Sequence, residues 1–267
     1  MRLPGLFRPS LLWQGIAVAT LASLLIIAAG TWSRVGAPGR PVHLPLLGQR
    51  IAIDPGHGGI DPGCHRGGLL EKDITLAVAL ELAPLLEAQG ATVFLTRTED
   101  IELSHLTDQE PTRHRRDLRA RTILAAQHEA RVLLSLHVNS AGSSQMGGAM
   151  VFYHPSSDEG KRLAQSLLGP LSRVVPGNQN AALPANFFLL RHSPTTTVLV
   201  EMGFISNAQD LSLLTSPSGR RAIAEALAEG LAAHLTSLPS ANPARSDTFT
   251  ITGALPALSD EHACEAL

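Results

Sequence analysis

The sequence predicts an α/β fold: a single three-layer domain with a twisted, mostly parallel sheet flanked by helices. Three observations predict it. Short apolar runs alternate with longer helical stretches along the chain, the order that builds a parallel sheet through crossover helices. At 267 residues, with 44% hydrophobic side chains, the chain can bury one sizeable core. Neither an internal repeat nor a second folded module is visible.

The elements follow in order. Arg50-Ile-Ala-Ile-Asp54 reads as a buried strand. Leu70 to Gln89 reads as a helix kinked at Pro84 and ended by Gly90. Ala91 to Thr96 is the next strand, Leu118 to Glu129 a helix, and Arg131 to His137 a strand. Gly148 to Tyr153 is another strand, and Glu159 to Val175 a helix interrupted at Gly169-Pro170. Phe187 to Leu190 and Thr196 to Glu201 read as strands, and Arg220 to Leu238 as the closing helix.

Composition excludes several classes. A net charge of −2, from 21 Lys+Arg and 23 Asp+Glu, leaves no basic face for nucleic acid. The apolar content argues against disorder. Two cysteines cannot build a disulfide framework or an all-cysteine zinc site. Mean hydropathy is slightly positive, at +0.12. Part of it comes from the run from Leu11 to Trp32, where no charge falls between Arg8 and Arg34, and part from the Ala/Leu-rich helices. Residues 1–34 therefore read as a membrane anchor or a signal segment that directs the chain outside the cytoplasmic membrane. An uncleaved anchor is favoured, and Ala28 and Gly30 leave cleavage open. Residues 35–47 hold Gly36, Pro38, Gly39, Pro41 and Pro45 and read as a linker. The domain is expected over 48–238, followed by a flexible tail over 239–267.

Ligands of open α/β sheets bind beyond the carboxyl ends of the strands, so the residues that follow each apolar run carry the search. Asp54-Pro-Gly-His57-Gly-Gly follows the first strand, His137-Val-Asn139 the strand from Arg131, and Glu201-Met-Gly-Phe the strand from Thr196. Each has a plain structural alternative. His57 could occupy a simple connecting turn, His137 could be a hydrogen-bonded core histidine, and Glu201 could pair with an arginine. A phosphate loop fails, because no Gly-Lys-Ser/Thr follows and Asp61 stands where a dinucleotide loop needs its third glycine. Glu71 opens a helix, where the dipole alone favours an acid. It also follows the His57 loop within one strand–loop–helix unit.

Two histidines and one carboxylate make a catalytic zinc set that leaves a position for water. A further carboxylate is then needed as general base and acid. His57, Glu71 and His137 as zinc ligands, with Glu201 as the base, meet that requirement. The His-Glu-x-x-His metalloprotease helix is absent from the sequence.

The same residues carry a resemblance. Ile51-Ala-Ile-Asp-Pro-Gly-His-Gly-Gly59, Leu70-Glu-Lys-Asp-Ile-Thr75, Leu95-Thr-Arg97, Ser135-Leu-His-Val-Asn139 and Val200-Glu-Met-Gly-Phe-Ile-Ser-Asn207 resemble the zinc-dependent N-acetylmuramoyl-L-alanine amidases of the amidase_3 type. The likeness covers about residues 48–236, with the motifs in the family's order. It implies a phosphorylase/hydrolase-like fold, Zn2+ on His57, Glu71 and His137, and catalysis by Glu201. The implied substrate is the peptidoglycan glycan strand with its stem peptide. Asp54-Pro-Gly-His-Gly-Gly59, Leu69-Leu-Glu-Lys-Asp-Ile-Thr-Leu76, Phe188-Leu-Leu-Arg191 and the N-terminal apolar segment together are similar to the germination-specific amidases of endospore formers, which implies a role in cortex muramic-δ-lactam formation. Division amidases of the family carry a long insertion that blocks the site with a helix. Only Ser140 to Gly147 fills that position here, so control is expected from expression, location or an activating protein partner. The runner-up readings are a zinc peptidase acting within the stem peptide and a non-catalytic wall-binding protein.

Cys64 and His65 lie between two proposed ligands and could compete for the metal, but the family pattern gives them no ligand role; Arg97 and Asn139 lie near the motifs without an assigned role. Cys64 could pair with Cys264. The polar stretch Leu103 to Arg116, with His105 and His114, reads as a groove lining or a solvated loop.

Overall fold

β1 (Arg50–Pro55) is the second strand of a six-stranded sheet. The computed structural model describes residues 44–237. The apolar N-terminal run, the tail, Cys264 and most of the expected linker lie outside the described residues. Leu46, within that linker, is fully buried in the core.

A two-stranded hairpin, β2 (His65–Arg66) and β3 (Leu69–Leu70), leads into helix α1 (Glu71–Glu87). β4 (Thr92–Leu95), α2 (Arg113–Gln127) and β5 (Val132–Asn139) follow, with a short 3-10 turn at Ser104–Leu106. Then come β6 (Met150–Tyr153), α3 (Asp158–Val174), β7 (Ala181–Pro184) and α4 (Phe188–His192). β8 (Thr196–Phe204), α5 (Ala208–Thr215) and α6 (Pro217–Ser237) complete the order. The sheet runs β4-β1-β5-β8-β6-β7. All neighbours are parallel except β6 against β8. The predicted three-layer, mostly parallel α/β architecture is the one observed.

Strand parity sorts the side chains. Val132, Leu134, Leu136 and Val138 of β5 join the large core beneath α1, α3 and α6, whereas Leu133 packs with Leu118, Phe188 and Leu189 of α2 and α4. Successive strand residues point to opposite faces. Ser135 and His137 therefore face the α2–α4 side, at the carboxyl end of the central strand. Caps set the helix starts. Thr112 accepts from the Arg115 N–H, Ser157 from Gly160, and Asn207 from Gln209 and Asp210.

Several expectations need correction. Phe187 to Leu190 is not a strand: Phe188–His192 forms one helical turn, α4. A short apolar run buried on successive residues does not distinguish a strand from a buried helical turn. The interruption expected at Gly169-Pro170 is absent, because α3 continues to Val174 with Pro170 buried. α1 carries Pro84 within its last turn and ends at Glu87. α2 begins at Arg113 rather than Leu118, so the basic residues from Arg113 to Arg116 belong to a helix and not to a loop.

Candidate metal centre

The β1 chain leaves the sheet at Pro55, and the Gly56 N–H still donates to Leu136 O at 2.9 Å. His57 then adopts a left-handed backbone, with φ of 62°, which is uncommon for a residue with a side chain. Gly58 and Asp61 close the loop with paired backbone bonds of 3.0 and 3.1 Å. The β2–β3 hairpin returns the chain, and the Glu71 N–H donates to Cys64 O at 2.9 Å. Glu71 thus starts α1 directly beside the His57 loop.

Three side chains meet here. Glu71 Oε1 lies 3.1 Å from His57 Nε2 and 3.1 Å from His137 Nδ1, and the two ring nitrogens are 3.2 Å apart. All three residues are buried. The backbone orients the carboxylate: Oε1 accepts from the Val138 N–H and Oε2 from the Cys64 N–H, each at 2.8 Å. Bonds of ~2.0–2.1 Å to a tetrahedral zinc place neighbouring N and O ligands about 3.3 Å apart. The observed triangle of 3.1, 3.1 and 3.2 Å fits that spacing. Donor type, burial and separation all suit a divalent cation. The cluster of possible ligands contains no sulfur. Cys64 serves Glu71 through its backbone, and His65 is exposed.

The electrostatics fit the same use. Burial works against ionised Glu71, yet hydrogen bonds and charge from His137 and His57 push its carboxyl far below the usual range. Burial also opposes a charged His57, but Asp61 and Glu71 raise it to about 9. Asp61 Oδ2 stands 3.0 Å from His57 Nδ1 as an ion pair. It is not a directed hydrogen bond, since Nδ1 has no partner in line. Burial pulls His137 down. A carboxylate flanked by two imidazoles thus collects one positive charge, and a bound cation supplies that charge in its place.

Glu201 is the direct register partner of His137 on the adjacent parallel strand. It is buried, and its Oε2 has no hydrogen-bond partner among the described residues. Burial, then the nearby Glu71 charge, raise its pKa well above the usual value, against an opposing pull from His57. All four residues singled out in the sequence therefore gather at one end of the sheet.

The sequence reasoning missed what lies beneath them. Asp54 Oδ1 accepts from Thr96 Oγ1 at 2.6 Å and Arg121 Nη1 at 2.7 Å, and Oδ2 accepts from Ser135 Oγ at 2.7 Å. Asp117 in turn receives Arg121 Nε at 2.8 Å. The available signal was the polar residues set into apolar strands: Asp54, Thr96 and Ser135. The Asn139 side chain accepts from the Ser140 N–H at 2.7 Å and donates to Met150 Sδ at 3.8 Å.

Comparison with known proteins places the chain in a family. Residues 51–233 match the Amidase_3 family, N-acetylmuramoyl-L-alanine amidase. The chain belongs to that family. It is 34% identical over 199 residues to the germination-specific N-acetylmuramoyl-L-alanine amidase of Bacillus subtilis (strain 168), covering 74% of this chain and 84% of that one. Among solved structures it is similar to the CwlD amidase from Clostridioides difficile, determined in complex with the GerS lipoprotein. The TM-score is 0.65 at 32% identity, over 71% of this chain and 99% of that one. The amidase AmiC2 of Nostoc punctiforme gives a TM-score of 0.58 at 30% identity, over 70% of this chain and 97% of that one.

Proposed function

We propose that this peptidoglycan amidase is zinc-dependent, with His57, Glu71 and His137 holding the ion and Glu201 moving the proton. The bond cut is the amide between the lactyl group of N-acetylmuramic acid and L-alanine of the stem peptide. The observation that carries the reading is the triangle of buried donor atoms beside an unpartnered buried carboxylate. When bound, zinc supplies Lewis-acid polarisation of the scissile carbonyl and lowers the pKa of water toward neutrality. Glu201 takes a proton from the attacking water and returns it to the departing alanine nitrogen. Glu71 is held by two backbone N–H groups, so it keeps its place while the substrate enters and leaves. Burial of the whole set strengthens each of these charge interactions.

The setting is part of the same reading. The likeness to a germination-specific amidase supports spore cortex as substrate, in the step that leads to muramic-δ-lactam. The apolar run from Leu11 to Trp32 supports export and attachment to the cytoplasmic membrane. Among the described residues, no helix is long and apolar enough to cross a membrane. The C. difficile neighbour's complex with a lipoprotein supports an activating partner of that kind.

Mass spectrometry of peptidoglycan digested by the full chain, with and without chelator, tests the reading. Intact stem peptide beginning at L-alanine, released only without chelator, is the expected product. Shortened peptide still attached to the sugar would replace this reading with a stem-peptide peptidase. Binding without any cleavage would point to a wall-binding protein.

A further inference from the structure

We propose that Arg97 is a positioning residue of the metal centre, clamping, together with Arg121, the carbonyls of Pro55, Gly56 and His57 from two sides. The inference rests on the metal-site reading above. A side chain in the left-handed region costs on the order of 1–3 kcal/mol and persists only where its surroundings over-determine it. His57 is such a residue, so something must hold its backbone there.

Two buried guanidinium groups do so. Pro55 O accepts from Arg97 Nε and from Arg121 Nη1, both at 2.9 Å. Gly56 O accepts from Arg97 Nη2 at 3.0 Å and from Thr75 Oγ1 at 2.9 Å. His57 O accepts from Arg121 Nη2 at 2.8 Å. Three successive carbonyls are thereby fixed, and with them the direction in which the His57 imidazole leaves the chain. Arg97 Nη2 also reaches Lys72 O at 2.8 Å, one residue beyond Glu71. It therefore ties the loop that carries His57 to the helix turn that carries Glu71, and sets the distance between them.

The two arginines differ in a way that singles out Arg97. Arg121 meets two carboxylates, Asp54 and Asp117, so fold stability alone accounts for its burial. Arg97 is equally buried, yet every acceptor it touches is neutral: four carbonyls and the Thr75 hydroxyl. A buried cation without a contacting carboxylate is costly. Its bonds to Pro55, Gly56, Thr75 and Lys72 tie the two ligand-bearing segments together, which gives its burial a purpose at the metal site.

The test is the zinc affinity of full-chain Arg97→Lys, measured by competition with a chromophoric chelator, alongside the melting temperature of the metal-free protein. Lysine keeps the charge but cannot span Pro55, Gly56 and Lys72 together. Affinity should fall about 10–100-fold, as for other groups that orient metal ligands, in a variant that still folds without metal. A lowered melting temperature with affinity within twofold of wild type would make Arg97 merely structural and overturn the inference. Should Arg97→Lys fail to fold, Thr75→Val decides. It removes the hydroxyl that bonds Gly56 O, Lys72 O and Arg97 Nη2, and a loss of at least about threefold is expected; affinity within twofold would again overturn the inference. Wild-type protein that takes up no zinc would overturn the underlying site reading and this inference with it.

Discussion

His137 and Glu201 are register partners on adjacent parallel strands, β5 and β8. Partnered residues on neighbouring strands point to the same face. This pairing brings the proposed ligand and the proposed proton carrier together with no loop between them. Glu201→Gln keeps shape and burial and removes only the proton transfer. Turnover should drop about 10²–10⁴-fold, while zinc content and melting temperature stay at wild-type values. Steady-state amidase kinetics beside elemental analysis would show it; full activity in zinc-loaded Glu201→Gln would remove Glu201 from the mechanism.

Gly56 lies against the His137 ring. A Cβ there would overlap Cε1 and Nε2 of His137 and the Leu136 carbonyl. Gly56→Ala should displace the ring and cost about two orders of magnitude in activity. Gly67, with φ of 57° and open space within 4 Å of where a Cβ would sit, is the control. Gly67→Ala should cost about 1 kcal/mol of stability and leave activity unchanged. Parallel assays and denaturant melts of the two variants would reveal any departure from this contrast.

Asp54 sets a pH dependence of stability. Burial works to raise its carboxyl pKa, but Arg121, Ser135 and Thr96 hold it below the ordinary value. A lowered folded pKa means that the stabilisation is complete above the unfolded value of about 3.9. It is lost as pH falls through the folded value. Asp54→Asn should therefore be destabilised by about 3 kcal/mol or more at neutral pH, because Arg121 loses a buried partner. The gap should narrow only in strong acid. Urea unfolding of both proteins across the acid range measures it; a gap that is constant with pH would mean that the charge is not what stabilises.

Metal removal should lower the melting temperature and readdition restore it. Zinc at a hundredfold excess over its dissociation constant stabilises a folded state by about 2.7 kcal/mol. The cluster contains no sulfur, so Cys64→Ser should keep the zinc-dependent shift in full. Calorimetry of both proteins with and without zinc checks this, and loss of the shift in Cys64→Ser would bring the thiol into the ligand set.

The site was legible because ligands of open α/β sheets bind beyond the carboxyl ends of the strands. His57, His137 and Glu201 stood out on that ground. Glu71 stood out less, because an acid at a helix start has an ordinary explanation in the dipole. The clamp beneath them was not legible. Arg121 lies 64 residues from the His57 carbonyl it binds, on a helix face whose arginines resemble a solvated one. In the fold, alternation was readable wherever a strand had one consistent face. It failed at Phe188–His192, where three successive apolar side chains are buried in a single helical turn. The two-residue strands β2 and β3 are too short to show any period.

The most direct test is zinc stoichiometry, by elemental mass spectrometry, for the full chain and for His57→Ala, Glu71→Ala and His137→Ala. One zinc per wild-type chain is expected, retained in Glu201→Gln and lost from each of the three alanine variants while they remain folded. A full zinc complement in folded His57→Ala or His137→Ala, or none in the wild type, would contradict the assignment of the metal centre.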